Sequence, residues 1–163
     1  MGNNIGNYRD RSVCILGLGY VGLTLAVAMA DAGFDVVGIE IRQSVLDLLK
    51  SGKAHFHEPG LEEKLNQVIN SGKFKVSKDI PEDWKGKVYI LTVGTPLSED
   101  GKTRLDMIEN ATRQVAKRLN EEDLVIMRST VKIGVTRNIV KPILDKQRKK
   151  YDLAFCPERT LEG

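Results

Sequence analysis

The sequence predicts an α/β domain of the doubly wound kind, a mostly parallel sheet with helices on both faces. Three observations predict it. Short apolar runs suited to buried strands alternate along the chain with stretches whose apolar residues repeat every three or four positions. A glycine corner, Gly17-Leu18-Gly19-Tyr20-Val21-Gly22, joins the first such run to the first such helix. An acidic residue, Glu40, then closes the second run, 18 residues past Gly22.

Residues 1–11 carry Asn, Gly and charge without periodicity and read as a flexible lead, leaving 12–163 as one domain. Residues 13–16 form the first strand; the helix after it is apolar nearly all round and ends near Gly33. A second strand runs up to Glu40. Val45, Leu46, Leu48 and Leu49 mark a short helix that stops by Gly52. A loop over 53–60 follows, and Leu61, Leu65, Val68 and Ile69 then recur at helical spacing as far as Gly72. Residues 74–77 read as a short strand and 88–93 as a stronger, almost wholly apolar one. Asp106 can cap the next helix, with Glu109 at the reciprocal position of a capping box; Ile108, Thr112, Val115 and Leu119 give its buried stripe. Residues 124–127 form another strand, 134–149 a helix kinked where Pro142 removes a hydrogen bond, and 152–155 the last strand.

Parallel strands joined by right-handed crossovers share one carboxyl edge, and ligands of such sheets lie outside it. The segments 17–22, 40–42, 94–96, 129–130 and 156–163 should therefore converge on one crevice.

Bulk properties narrow the function. At 163 residues, 41% hydrophobic and 29% charged, the chain suits one folded domain with a proper core. The net charge, 25 − 22 = +3, is too small to argue for nucleic acid. The longest uninterrupted apolar run, residues 25–30, is too short to span a bilayer. The N-terminal segment is polar, without a secretory core, and Gly6 stands where a myristoylation motif wants Ser or Thr. Two cysteines, Cys14 and Cys156, make no disulfide framework, and a cytoplasmic location is expected. His55 and His57 lack an evident third ligand, so no metal is expected. The four cations within 146–150 read as a solvated face at a helix C-terminus, ahead of a nucleic-acid patch.

The glycine corner has a physical reading. Gly17 permits the sharp turn, Gly19 lets a pyrophosphate meet bare backbone, and Gly22 lets helix and strand pack closely. Tyr20 and Val21 open the helix whose N-terminal N–H groups and partial positive charge favour phosphates. Glu40 can accept hydrogen bonds from the adenosine ribose and would repel a 2′-phosphate, which favours NAD over NADP. Arg42 is the caution: its guanidinium could rescue a 2′-phosphate, or it could be a solvated residue opening a helix.

Other segments leave alternatives open. Val93-Gly94-Thr95-Pro96 suits either a cofactor contact through Thr95 or a plain Gly–Pro turn. The hydroxyls of Ser129-Thr130 could cap the following helix, or Thr130 could face a nicotinamide. Cys156-Pro157-Glu158-Arg159-Thr160-Leu161-Glu162-Gly163 sets two carboxylates four residues apart after the last strand, either in a solvated loop or facing the crevice.

Together these segments resemble the N-terminal, Rossmann-type domain of the UDP-glucose/GDP-mannose dehydrogenase family. The matching motifs are GLGYVGL at 17–23, EPGL at 58–61, VGTP at 93–96, STV at 129–131 and CPERTLEG at 156–163. The resemblance implies an enzyme that oxidises the C6 hydroxyl of a nucleotide sugar to a carboxylate and reduces two NAD, passing through an aldehyde and a cysteine thioester. It implies that Gly17, Gly19, Gly22 and Glu40 hold adenosine and pyrophosphate, and that Thr95, Thr130 and Glu162 approach the ribose and nicotinamide. By the same resemblance Thr130 and Glu158 position water and manage protons, and the full-length protein is a homodimer acting on a UDP-sugar.

One departure bears on the substrate. UDP-glucose dehydrogenases of the family tend to carry Pro-Glu-Phe where this chain has Pro157-Glu158-Arg159, a version more like the UDP-N-acetylmannosamine branch. The family's nucleophilic cysteine and its assisting lysine and asparagine belong to segments beyond this domain. Neither Cys14, in a buried strand, nor Cys156, read as structural, replaces it, so the 163 residues alone are expected to be inactive. A stand-alone NAD-sensing module and a hydroxyacid or 6-phosphogluconate type of dehydrogenase are the rivals; neither needs the paired carboxylates near the end.

Overall fold

A computed structural model describes residues 11–96 and 104–158. The chain runs β1 (Ser12–Leu16), α1 (Tyr20–Asp31), β2 (Asp35–Ile39), α2 (Gln43–Lys50), α3 (Leu61–Asn70), β3 (Phe74–Ser77), β4 (Val88–Leu91), α4 (Asp106–Ala116), β5 (Asp123–Met127), a π-helical segment (Thr136–Val140), α5 (Lys141–Asp145) and β6 (Tyr151–Phe155). The helices bury their apolar stripes: Val45, Leu46 and Leu49 from α2, Leu61, Leu65 and Val68 from α3, Ile108, Ala111 and Val115 from α4.

Among the described residues the strands form one sheet, in the order β3-β2-β1-β4-β5-β6, every neighbouring pair parallel. Period-two alternation along β1 sends Val13 and Ile15 to one face, Cys14 and Leu16 to the other. On the first face Leu23, Ala26 and Val27 of α1 pack with Val45, Leu49 and Leu65. On the second, Ile108 and Val115 of α4 pack with Val140, Ile143 and Leu144 against Tyr89, Leu91 and Met127. Covered on both faces, the sheet is the doubly wound Rossmann-type architecture that the alternation predicts.

Three local expectations change. The capping box at α4 does not form: Leu105 is the N-cap, and Asp106 lies inside the helix. Its carboxylate takes a forked pair of bonds from Arg104, at 3.1 and 2.8 Å, while Glu109 faces Arg113. A charged fork two residues away competes better for the carboxylate than a backbone N–H does. The strand over 88–93 ends at Leu91; the Thr92 N–H still donates to the Leu16 carbonyl at 2.9 Å, and its hydroxyl turns onto the Leu16 and Gly17 carbonyls. The helix over 134–149 is shorter and partly π-helical. The Lys141 N–H reaches five residues back to the Thr136 carbonyl, and Pro142 falls in the first turn of α5, where its missing N–H costs little.

Candidate functional site

The strand order reverses between β1 and β4, so the loops after these two strands diverge and leave a crevice at the carboxyl edge. The glycine corner lines it. Gly17 takes φ +96°, and its N–H donates to the Ile39 carbonyl at 2.8 Å, tying the turn to β2. A Cβ at Gly22 would stand 1.9 Å from the Gly17 carbonyl oxygen and 2.7 Å from the Thr92 hydroxyl, so only glycine lets α1 start this close to the turn. Gly19 is different. It is the N-cap of α1, in an extended conformation with no capping side chain, and a Cβ built on it meets nothing within 4 Å. That open space lies at the N-terminus of a 12-residue helix, where backbone N–H groups and partial positive charge favour a phosphate. Tyr20 and Val21 form the helix's opening turn there.

Next to this corner, Glu40 follows directly on β2 with only 5% of its surface exposed. Arg42 grips it: Nε donates to Oε1 and Nη2 to Oε2, both at 3.1 Å, and the Arg42 backbone N–H donates to Oε1 at 3.0 Å. Burial works to raise the pKa of Glu40, but the Arg42 hydrogen bonds and charge prevail and hold it below its ordinary 4.5. Arg42 caps α2 with its backbone and is half-exposed, so it is neither simply solvated nor simply a helix opener.

The loop 53–60 folds back over the start of α1, which the linear pattern does not reveal. The Tyr20 hydroxyl donates to Glu58 at 2.9 Å, and its ring packs against Phe56 at 5.2 Å. His55 stands edge-on to Phe56, its pKa lowered by burial and by the Arg42 charge, with Glu40 pulling the other way. The clue in the sequence is Glu58 in the EPGL motif, without any hint of its partner.

Across the crevice, the Thr95 hydroxyl donates to the Thr130 carbonyl at 3.1 Å and joins the loops after β4 and β5. Ser129 is buried and gives its hydroxyl to the Val93 carbonyl at 2.7 Å, so it braces the end of β4 instead of capping a helix. Thr130 is exposed at the same edge. Beyond it, Arg128 donates to the Glu158 carboxylate, and the Glu158 N–H donates to the Arg128 carbonyl at 3.2 Å. Both side chains are mostly shielded, at 24% and 19% exposure. Sequence reasoning passes over Arg128; its signal is a cation at the exit of an otherwise apolar strand. Cys156, read as structural, is exposed, with Sγ 3.7 Å from Arg128 Nη1. Cys14 is fully buried, which pushes its thiol up to about 12. Glu162 and the residues around it from Arg159 lie outside the described residues, as does the N-terminal lead as far as Asp10.

Among the described residues no three His, Cys, Asp or Glu side chains gather as metal ligands, and no helix is long and apolar enough to cross a membrane. The open space over Gly19 and the buried carboxylate beside it fit a dinucleotide: backbone for the diphosphate, an acid for the ribose.

Over residues 11–163 the chain matches the UDP-glucose/GDP-mannose dehydrogenase family, NAD binding domain. It is 40% identical over 156 residues to the UDP-N-acetyl-D-mannosamine dehydrogenase of Pyrococcus horikoshii, covering 93% of this chain and 37% of that protein. It is 37% identical over 148 residues to the GDP-mannose 6-dehydrogenase of Pseudomonas savastanoi pv. phaseolicola, covering 88% and 34%. The solved UDP-N-acetyl-mannosamine dehydrogenase of Staphylococcus aureus superimposes with a TM-score of 0.86 at 32% identity, over 93% of this chain and 38% of that one. The chain thus spans 34% to 39% of the length of the curated relatives it matches. It belongs to this dehydrogenase family, as the family's NAD-binding domain.

Proposed function

We propose that this member of the UDP-glucose/GDP-mannose dehydrogenase family is the cofactor half of a cytoplasmic nucleotide-sugar 6-dehydrogenase, a homodimer at full length, whose substrate is UDP-N-acetylmannosamine. NAD, when bound, supplies the hydride acceptor for the C6 carbon. Gly17, Gly19, Tyr20, Val21 and Gly22 hold the diphosphate, Glu40 and Arg42 the adenosine ribose, and Thr95, Thr130 and Glu162 the nicotinamide side. Thr130 and Glu158 position water and manage protons, with Arg128 fixing where the Glu158 carboxylate points.

The observation that carries this reading is the Arg128–Glu158 pair at the sheet edge shared with the glycine corner. A module that only senses NAD has no use for a shielded carboxylate held there; an enzyme that moves protons next to its cofactor does. The branch is supported by the Cys156-Pro157-Glu158-Arg159 sequence and by the relatives' names.

The enzyme carrying this domain, offered UDP-N-acetylmannosamine, GDP-mannose and UDP-glucose in turn, is expected to reduce two NAD per sugar and to favour the first in kcat/KM. A preference for GDP-mannose would move it to that branch. NAD binding without turnover of any sugar would favour the sensor.

A further inference from the structure

The peptide after Gly17 needs something to hold it. Glycine lacks the Cβ that confines other residues, so this peptide can turn over at little steric cost. The peptide joining Gly17 to Leu18 is trans, and its carbonyl and N–H therefore point in opposite directions. A carbonyl swung to the open side of the corner would set partial negative charge beside a diphosphate lying against Gly19.

Thr92 holds it the other way. The residue follows β4 and is 9% exposed. Its hydroxyl has one proton to give; the oxygen lies 2.7 Å from the Gly17 carbonyl oxygen and 3.0 Å from that of Leu16. The Thr92 backbone is anchored in turn, its N–H donating to the Leu16 carbonyl at 2.9 Å. Beyond the peptide, the Leu18 N–H bears on Glu40, and the Gly17 N–H is tied to Ile39 at 2.8 Å. A Cβ at Gly22 would stand 2.7 Å from Thr92 Oγ1, so the hydroxyl is also hemmed in by the start of α1.

We propose that Thr92 is a positioning residue for the cofactor: its hydroxyl keeps the Gly17 carbonyl turned inward and the Leu18 N–H turned toward Glu40, and so holds the corner in the form that accepts a diphosphate. Thr92 acts through the backbone of Gly17 and Leu18. The inference rests on the placement of the diphosphate at Gly19 given above.

Calorimetric titration with NAD, paired with urea unfolding, tests it on wild type, Thr92→Val, Thr92→Ser, Thr92→Ala, Thr112→Val and Gly19→Ala. Thr92→Val keeps the shape without the hydroxyl and should raise the Kd at least about tenfold; Thr92→Ser keeps the hydroxyl and should stay within about threefold. Thr112 is the control, because it too is buried and its hydroxyl donates to a carbonyl at 2.7 Å, that of Ile108 within α4. Thr112→Val should lose stability and leave the Kd within about threefold of wild type. Thr92→Ser against Thr92→Ala repeats the comparison with no methyl facing Gly17, should Thr92→Val not fold. Wild type alone gives a further reading: the Leu18 amide should be protected from hydrogen exchange, and exchange at the rate of an unfolded chain overturns the proposal. It is equally overturned if Thr92→Val or Thr92→Ala binds NAD as tightly as Thr92→Ser, or if Thr112→Val weakens binding as much as Thr92→Val. Gly19→Ala separates the two levels. If it weakens NAD binding while loss of the Thr92 hydroxyl does not, only the positioning role fails; if it leaves binding untouched, the diphosphate placement fails and takes that role with it.

Discussion

Arg128, the last residue before the Ser129-Thr130 edge, holds the carboxylate of Glu158 across the ends of β5 and β6, 30 residues apart in sequence and both largely shielded from water. A shielded ion pair of this kind is asymmetric: its formation contributes modestly, but removing one partner leaves the other charge poorly solvated.

Arg128→Ala is therefore expected to destabilise the domain by about 1.5–3 kcal/mol, the cost of losing a charge-assisted hydrogen bond at a half-shielded site. Urea unfolding of the single variants and of Arg128→Ala with Glu158→Gln should show clear coupling. Strictly additive effects would mean that the pair contributes nothing to folding.

Gly19 and Gly22 should separate ligand binding from folding. Gly19→Ala places a methyl in open space, at a φ of −71° that any residue adopts, so stability should stay within about 0.5 kcal/mol. NAD affinity should nevertheless fall at least about tenfold, because the diphosphate loses its approach to the backbone. Gly22→Ala drives its methyl into the Gly17 carbonyl and should lower the melting temperature as well. A Gly19→Ala protein that binds NAD as well as wild type would remove the phosphate from that corner.

Glu40 sets an acid-side dependence. Its folded-state pKa lies below the ordinary 4.5, so below that value the unfolded chain binds more protons than the folded one. The stability contributed by the ionised Glu40–Arg42 pair is complete above the unfolded pKa and is lost as pH falls through the folded one. Wild type should exceed Glu40→Gln in stability at pH 7, with the gap closing only at acid pH, as read from urea midpoints. A gap that widens on acidification would have the wrong sign.

The two thiols should react as one accessible and one protected group. Cys14 is fully buried with its thiol pushed up to about 12, whereas Cys156 is exposed. A thiol-exchange reagent at pH 8 should titrate one equivalent in the native chain and two in denaturant. Fast native labelling at Cys14 would mean that β1 opens locally.

The chain's linear order already contained the alternation of elements, the Gly17–Gly22 corner and the acid closing the second strand, because each depends on neighbours within a turn or two. Apolar periodicity and a glycine's missing Cβ act locally, so they survive as a pattern of letters. Where an alternative partner stood close by, that local reading failed: Arg104 took Asp106 from its cap.

Only the tertiary structure decided which side chains share the crevice edge. Tyr20 meets Glu58 across 38 residues, Thr95 meets Thr130 across 35, and Arg128 meets Glu158 across 30. It also decided that the Glu40 carboxylate is buried while gripped by Arg42. The reason is physical. Periodicity states which face of an element is buried, whereas the pairing of polar groups at the ends of parallel strands depends on strand order and register, which form only when the sheet assembles.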